Sequence, residues 1–255
     1  MKSLTTWTPE GDHHTWTVPE GWGQGRAVFG GLVAAAAVNL ASGLTDRPLR
    51  TLQLQMLRPL KPGRVQGRRE LLREGRNVTA VRIDLLQDDS VATTAIVTFL
   101  VPRDGTTDVA APEVPDFNRG HHFPIPYMDG LTPEFTQHLE MSFLEGTPPF
   151  MGAPEPKTGG FVGYRDKALD DGSTEATVGL MDAFPSPTMS ILSKPAVSST
   201  ATWTLHLLAP PEPGLHAYRY STLAATGGAS TTTGMVWAPS GALAAYTEQT
   251  VVTFE

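Results

Sequence analysis

The apolar positions of the first hundred residues follow two rhythms. Residues 28–43, Val-Phe-Gly-Gly-Leu-Val-Ala-Ala-Ala-Ala-Val-Asn-Leu-Ala-Ser-Gly, are apolar almost all round. Their length and alanine content predict a helix buried on most sides. The segments around it alternate with period two. Residues 13–18 predict a short strand stopped by Pro19, and residues 51–57 a second one with Leu52, Leu54 and Met56 on one face. Residues 68–73, 78–86 and 91–101 predict three more. They are separated by the turns Glu74-Gly75-Arg76-Asn77 and Gln87-Asp88-Asp89-Ser90. One buried helix followed by an antiparallel meander is an α+β pattern.

The same rhythms return later. Residues 102–156 are rich in Pro, Gly and His; 102–130 read as a linker crossing the surface, and 132–144 as a strand. Residues 160–167 predict a strand and 174–184 a helix. Ser173 or Asp171 is placed to cap that helix, and Pro185 and Pro187 limit its extension. Residues 200–208, 215–223, 230–238 and 243–254 predict four strands, the last two joined by the turn Pro239-Ser240-Gly241. Leu54-Gln-Met-Leu-Arg-Pro59 echoes Leu205-His-Leu-Leu-Ala-Pro210 at a spacing of 151 (54 to 205). Gly75 and Gly227, and Val91 and Leu243, stand 152 apart (75 to 227, 91 to 243), and Gly31 plus 151 lands on Asp182. Two copies of one unit are therefore expected, residues 1–101 and 131–255, joined by 102–130.

Composition narrows the function. The chain has 255 residues, 40% hydrophobic and 18% charged, as in an ordinary soluble protein. A net charge of −7 argues against general nucleic-acid binding. The lack of cysteine excludes disulfides, thiol catalysis and Cys-based metal sites. Residues 1–7 are polar, unlike a secretory signal. Residues 28–44 are too short and too small-sided to span a bilayer, so a cytoplasmic protein is expected. Gly23-Gln-Gly25-Arg-Ala-Val28 misses the third glycine of a dinucleotide fingerprint, and no Gly-x-Ser-x-Gly elbow or P-loop occurs. His13-His14 and His121-His122 are adjacent pairs without the i, i+4 spacing of helical ligands, so no metal site is expected.

Three polar residues attract attention. Asp182 stands among apolar neighbours in Gly179-Leu-Met-Asp-Ala-Phe-Pro185. Burying an unpaired carboxylate costs several kcal/mol, roughly, so such a residue has a partner or a task, unless it is a cap or a solvated acid. Gln249 shares a strand face with Leu243, Ala245 and Val251 and needs a hydrogen-bond partner there. Thr200 poses a problem. Simple alternation puts it with Thr202, Thr204 and His206, opposite Trp203, Leu205 and Leu207, unless a bulge intervenes. A lone strand histidine such as His206 reads as structural. Arg58, Arg64, Arg68, Arg69, Arg73, Arg76 and Arg82 make the first half locally basic, which suits phosphates or a solvated strand face.

Val28-Phe-Gly-Gly31 before the alanine-rich helix, Leu57-Arg-Pro59 closing a strand, and Leu72-Arg-Glu-Gly-Arg-Asn77 resemble the acyl-CoA thioesterase II family. So does the second half, with Asp182, Thr200 and Gln249 in its helix region, strand start and last strand. The resemblance covers roughly residues 10–101 and 160–255. It implies a double hotdog, two sheet-wrapped helices in one chain. It further implies hydrolysis of an acyl-CoA to free acid and CoA through a water activated by Asp182 and positioned by Thr200 and Gln249. Gly30, Gly31, Arg58 and Arg76 are the substrate-binding residues on this reading, no metal or cofactor is needed, and a homodimer or higher homo-oligomer is expected. Leu207-Leu-Ala-Pro210 lacks the aromatic or His-Arg residues common before the family's strand-closing proline, a departure that bears on acyl or CoA preference. Two other readings fit the fold: a non-catalytic acyl-CoA or lipid-binding hotdog, and another CoA-linked enzyme such as an enoyl-CoA hydratase. The chain has no Gly-Asp-x-Asn-Pro segment of the hydratase kind.

Overall fold

The period-two segments join into one antiparallel sheet that wraps the apolar helix. The computed structural model describes residues 1–103, 105, 109–117 and 123–254. Its first half comprises β1 (Thr8–Glu10), β2 (His13–Val18), β3 (Gly23–Gln24), β4 (Ala27–Val28), α1 (Gly30–Ser42), β5 (Leu49–Met56), β6 (Gly63–Glu74), β7 (Val78–Gln87) and β8 (Ser90–Leu100). The second comprises β9 (Phe123–Pro124), β10 (Leu139–Glu145), β11 (Lys157–Tyr164), α2 (Thr174–Leu180), α3 (Thr188–Ile191), β12 (Val197–Leu207), β13 (His216–Thr226), β14 (Ala229–Trp237) and β15 (Leu243–Phe254). Thirteen strands form one sheet in the order β1-β2-β6-β7-β8-β5-β12-β15-β14-β13-β11-β10-β9, and β3 pairs with β4 alone. This is the α+β double hotdog expected from the pattern: two antiparallel units, each around a helix, meeting at β5 and β12.

The repeat is visible in the register. Gln53 on β5 pairs with Thr204 on β12, its own counterpart at the spacing of 151 (53 to 204). The bulges repeat at the same spacing. Those after Leu49, Leu71 and Leu85 recur after Thr200, Thr222 and Val236 (49 to 200, 71 to 222, 85 to 236). Ahead of the helix the spacing is shorter. Thr15 on β2 pairs with Gln66, and Phe161 on β11 pairs with Ala217, so the counterparts stand 146 apart (15 to 161). Five extra residues therefore lie between β11 and β12. From helix start to helix start the spacing is 144 (30 to 174), so Asp182, past the end of α2, falls opposite the middle of α1 and not opposite Gly31, which corrects the expected equivalence of Gly31 and Asp182.

Several boundaries differ from expectation for physical reasons. α1 opens at Gly30, not Val28, because Val28 N–H donates to Leu60 O and Phe29 N–H to Trp22 O. Ten of its thirteen residues are buried. α2 stops at Leu180, short of Phe184, and a four-residue α3 follows the prolines. Ser173 is the N-cap of α2, its hydroxyl accepting from Ala176 N–H; Asp171 instead accepts from Ser173 and from the Met1 ammonium. The strand expected over 132–144 is a 3₁₀ turn, Glu134–His138, followed by β10, and that expected over 160–167 is β11. The linker does more than cross the surface. Phe117 is buried against Ala217 and Trp237, and Trp237 Nε1 donates to Pro112 O at 2.8 Å. His121 and His122 lie outside the described residues. Among the described residues no helix is long and apolar enough to cross a membrane.

Candidate active site

The ends of α1 and α2 meet at the glycines. A Cβ on Gly30 would lie 2.5 Å from Asp182 Oδ2, and one on Gly31 would run into the Gly179 carbonyl. Only glycine lets the carboxylate and the second helix approach the start of α1 this closely. Asp182 follows Met181, the C-cap of α2, in a turn where Ala183 N–H donates to Leu180 O at 3.1 Å. The residue keeps partial exposure, but its carboxyl end is buried. This burial pushes its pKa up to about 7, against the opposing pull of hydrogen bonds from Gln249 and the Gly31 N–H.

Gln249 stands on the inner face of β15, 8% exposed. Its Nε2 donates to Asp182 Oδ1 at 2.7 Å, which meets the demand for a partner. Thr200 Oγ1 donates to Gln249 Oε1 over a long 3.5 Å. The order of donors sets the amide, with its oxygen toward the hydroxyl and its nitrogen toward the carboxylate. Thr200 reaches this face because β12 is bulged between Thr200 and Thr202. The bulge adds one residue, Ala201, and reverses the alternation that would have turned Thr200 away. The three predicted residues are thus joined in one chain, Thr200 to Gln249 to Asp182. His206 stands on the opposite face of β12 from Trp203 and Leu205, its ring 6.1 Å from that of Tyr246.

The remaining predicted residues separate. Gly31 N–H is engaged by Asp182, whereas Gly30, as the first residue of α1, has an N–H without an intrahelical acceptor. Arg58 is exposed just past β5, where its N–H and that of Leu57 both donate to Ala92 O. It shares an end of the sheet with Met56, which lies beside Gly30. Arg76 is at the other end. Met56 pairs with Thr93, Thr93 with Leu85, and the neighbouring Leu86 with Gln66 on β6, while Arg76 lies in the turn beyond Glu74, the far end of that strand. At about 3.3 Å per residue that places it roughly 26 Å or more away along the strand.

Residues that the sequence reading passes over complete the site. Tyr218 OH donates to Leu180 O, Tyr220 OH to Met181 O at 2.6 Å, and Tyr164 OH to Ala176 O at 2.9 Å. Beyond the prolines, Thr188 and Thr222 share a hydrogen bond at 2.8 Å, and Ser186 and Thr232 one at 3.2 Å. The available signal was hydroxyls at every second position, Tyr218-x-Tyr220-x-Thr222, on one strand. A cavity of about 220 Å³ opens beside this segment, lined by Thr188, Ile191, Leu192, Ser230 and Thr253 among others. Among the described residues, no group of three or more His, Asp or Glu is placed to hold a metal ion.

Comparison with known proteins agrees with the fold. The family model described as the acyl-CoA thioesterase N-terminal domain matches residues 18–100, and that described as the C-terminal domain matches residues 108–253. A hot dog fold protein of unknown function from Alicyclobacillus acidocaldarius superposes with a TM-score of 0.86 at 20% identity, covering 99% of this chain and 97% of that one. Acyl-CoA thioesterase II TesB2 from Mycobacterium marinum gives 0.73 at 16% identity, covering 99% and 97%. The dehydratase domain of PpsC from Mycobacterium tuberculosis, in complex with C12:1-CoA, gives 0.59 at 12% identity, covering 98% of each. At these identities the structural likenesses speak for the fold. No curated protein matches the sequence.

Proposed function

Because the chain belongs to the acyl-CoA thioesterase family, we propose that it hydrolyses an acyl-CoA thioester to the free acid and CoA, using a water held by Thr200 and Gln249 and activated by Asp182. The observation that carries this reading is the continuous hydrogen-bond chain of those three side chains at the start of α1. A water at the thioester carbonyl is a poor nucleophile until a base takes its proton. A carboxylate raised to about 7 is basic enough to do so and is still ionised near neutrality. The water oxygen bonds to the carbonyl carbon, its proton passes to Asp182, and the carbonyl oxygen becomes an oxyanion. Gly30 N–H, at the positive end of α1, is the donor we assign to that oxyanion. As the tetrahedral species collapses, the C–S bond breaks, the thiolate leaves with the electron pair, and Asp182 returns the proton to sulfur. Thr200 and Gln249 carry no charge; they fix the water in line.

The CoA phosphates lie outside the buried site on this reading, with Arg58 a cation at that end. The test is thiol release from a panel of short, long, branched and aromatic acyl-CoAs. Wild type should release thiol from at least one, and Asp182→Ala should lose about 10³-fold or more in kcat with an unchanged circular dichroism spectrum. Unchanged turnover in that variant would refute the assignment of the base. Tight acyl-CoA binding without thiol release would instead favour a carrier.

A further inference from the structure

One strand supplies three successive inward hydroxyls to the segment that carries Asp182. Tyr218, Tyr220 and Thr222 alternate along β13, so all three face inward. They bond in order to Leu180 O, Met181 O and Thr188 Oγ1. The first two carbonyls belong to the end of α2, where helix carbonyls have no intrahelical donor. The third contact holds α3, beyond Pro185 and Pro187. Asp182 thus sits in a short span tied to β13 on both sides.

The first half shows that the fold does not require this arrangement. At the spacing of 151 the counterparts are Gly67, Arg69 and Leu71, which bring no hydroxyl (67 to 218, 69 to 220, 71 to 222). There α1 runs on unbroken to Ser42, and Arg69 Nη1 only reaches Leu40 O at 3.3 Å. The hydroxyl row occurs where the central helix is interrupted and an acid follows the break. Tyr220 and Tyr218 are also the titratable groups facing Asp182; among the described residues no charged side chain acts on its carboxyl, whose other partners are the neutral Gln249 and the Gly31 N–H.

We propose that Tyr218, Tyr220 and Thr222 form a clamp that ends α2 at Leu180 and holds the Asp182 carboxylate over Gln249 and Gly30, making them positioning residues for the reaction. This rests on the thioesterase reading for its role, but not for its geometry. Removing the Tyr220 hydroxyl frees the Met181 carbonyl and lets the following residue relax toward solvent. The carboxyl then becomes better hydrated, and its protonation moves to lower pH.

The experiment compares wild type with Tyr220→Phe and with the milder Thr222→Val. Tyr220→Phe should lower kcat about tenfold to a hundredfold with KM within twofold. The acid limb of its kcat–pH profile should move down by about half a pH unit or more. Thr222→Val should move both quantities the same way by less. The titration of ¹³C-labelled aspartate, with the Asp182 signal identified by its loss in Asp182→Asn, reads the same shift without turnover. A profile and titration identical to wild type in both variants would overturn the clamp, even if Tyr220→Phe melts earlier. Should wild type release no thiol from any acyl-CoA, the thioesterase reading fails, and the titration alone then decides the clamp. If Tyr220→Phe does not fold, Thr222→Val with an unmoved titration overturns it.

Discussion

The two ends of the central strand pair have the same backbone and different contents. β5 and β12 carry the same bulge, which adds Arg50 in one and Ala201 in the other. At one end it turns Leu49 inward, and at the other Thr200. The neighbouring strand brings Val97, wholly buried, where its counterpart brings Gln249 (97 to 249). Val81 and Leu71 face Thr232 and Thr222 across the same relation (81 to 232, 71 to 222). The middle of α1, an unbroken helix, answers to the break after Leu180 that carries Asp182. The bulge is therefore a property of the hotdog unit, while the chemistry comes from a few inward side chains and a helix cut short. The first half keeps an apolar end and lends the second half the start of α1.

If that contrast is what makes one end a site, copying the apolar end into it should abolish activity. Gln249→Val installs the side chain of Val97. It removes the donor to Asp182 and leaves the rest of the inner face apolar. Thiol release should fall about 10²–10³-fold, the usual cost of losing one aligned donor in a water-excluded site. Because the Gln249 hydrogen bond holds the Asp182 pKa down, any residual activity should have its acid limb at higher pH than wild type. This is the direction opposite to that expected for Tyr220→Phe. Near-normal rates in Gln249→Val would show that the contrast between the ends is structural only.

The next consequence is in stability. Asp182 has a raised carboxyl pKa, about 7 folded against an ordinary 3.8. The unfolded chain therefore ionises first. The folded state is penalised as pH rises above 3.8, and the penalty is full above 7. At about 1.36 kcal/mol per pH unit the penalty reaches at most roughly 4 kcal/mol, and partial exposure reduces it. Asp182→Asn, which cannot ionise, should unfold at a higher denaturant concentration than wild type at pH 8.5, with the gap closing as pH falls toward 4. A gap that does not change with pH would mean that the carboxyl is not desolvated. The first half offers the control, since α1 has no titratable side chain.

Thr200→Leu carries the comparison one step further by restoring the side chain of Leu49. Thr200 is bound to Gln249 over 3.5 Å, a weaker link than the 2.7 Å bond to Asp182. A loss of about tenfold in kcat is expected, smaller than for Gln249→Val, with the melting temperature little changed. An equal loss in the two variants would mean that Thr200 contacts the reacting water more directly than its bond to Gln249 indicates.

Much of this was legible in the sequence, and the misses have common causes. Strand alternation located all the long strands because one face of each is buried against a helix. Gln249 was legible for the same reason, a polar side chain in an apolar row. Thr200 was legible only by resemblance, since a bulge cannot be read from alternation. The end of α2 was misplaced by four residues, from Leu180 to Phe184, because tyrosines forty residues away in sequence terminate it. The proposed match of Gly31 with Asp182 caught a true proximity by the wrong route. The two residues meet across the helix ends, but they are not equivalent in the repeat.

The smallest expected effect separates the two arginines that the sequence could not. Both sit in segments resembling the same family, and both are exposed. Arg58 follows β5 at the end where Met56 meets Gly30. Arg76 lies at the far tip of the β6–β7 hairpin, where its carbonyl accepts from Arg47 Nη2 at 3.4 Å. A single CoA phosphate contact at an exposed arginine is screened by salt and adds little binding. Arg58→Ala should therefore raise KM for acyl-CoA by about threefold at low ionic strength, leave kcat unchanged, and lose its effect near 0.5 M salt. Arg76→Ala should match wild type under both conditions. The reverse ranking would place the nucleotide end of CoA at the apolar end of the molecule, and the acyl chain would then have to cross from one half to the other to reach Asp182.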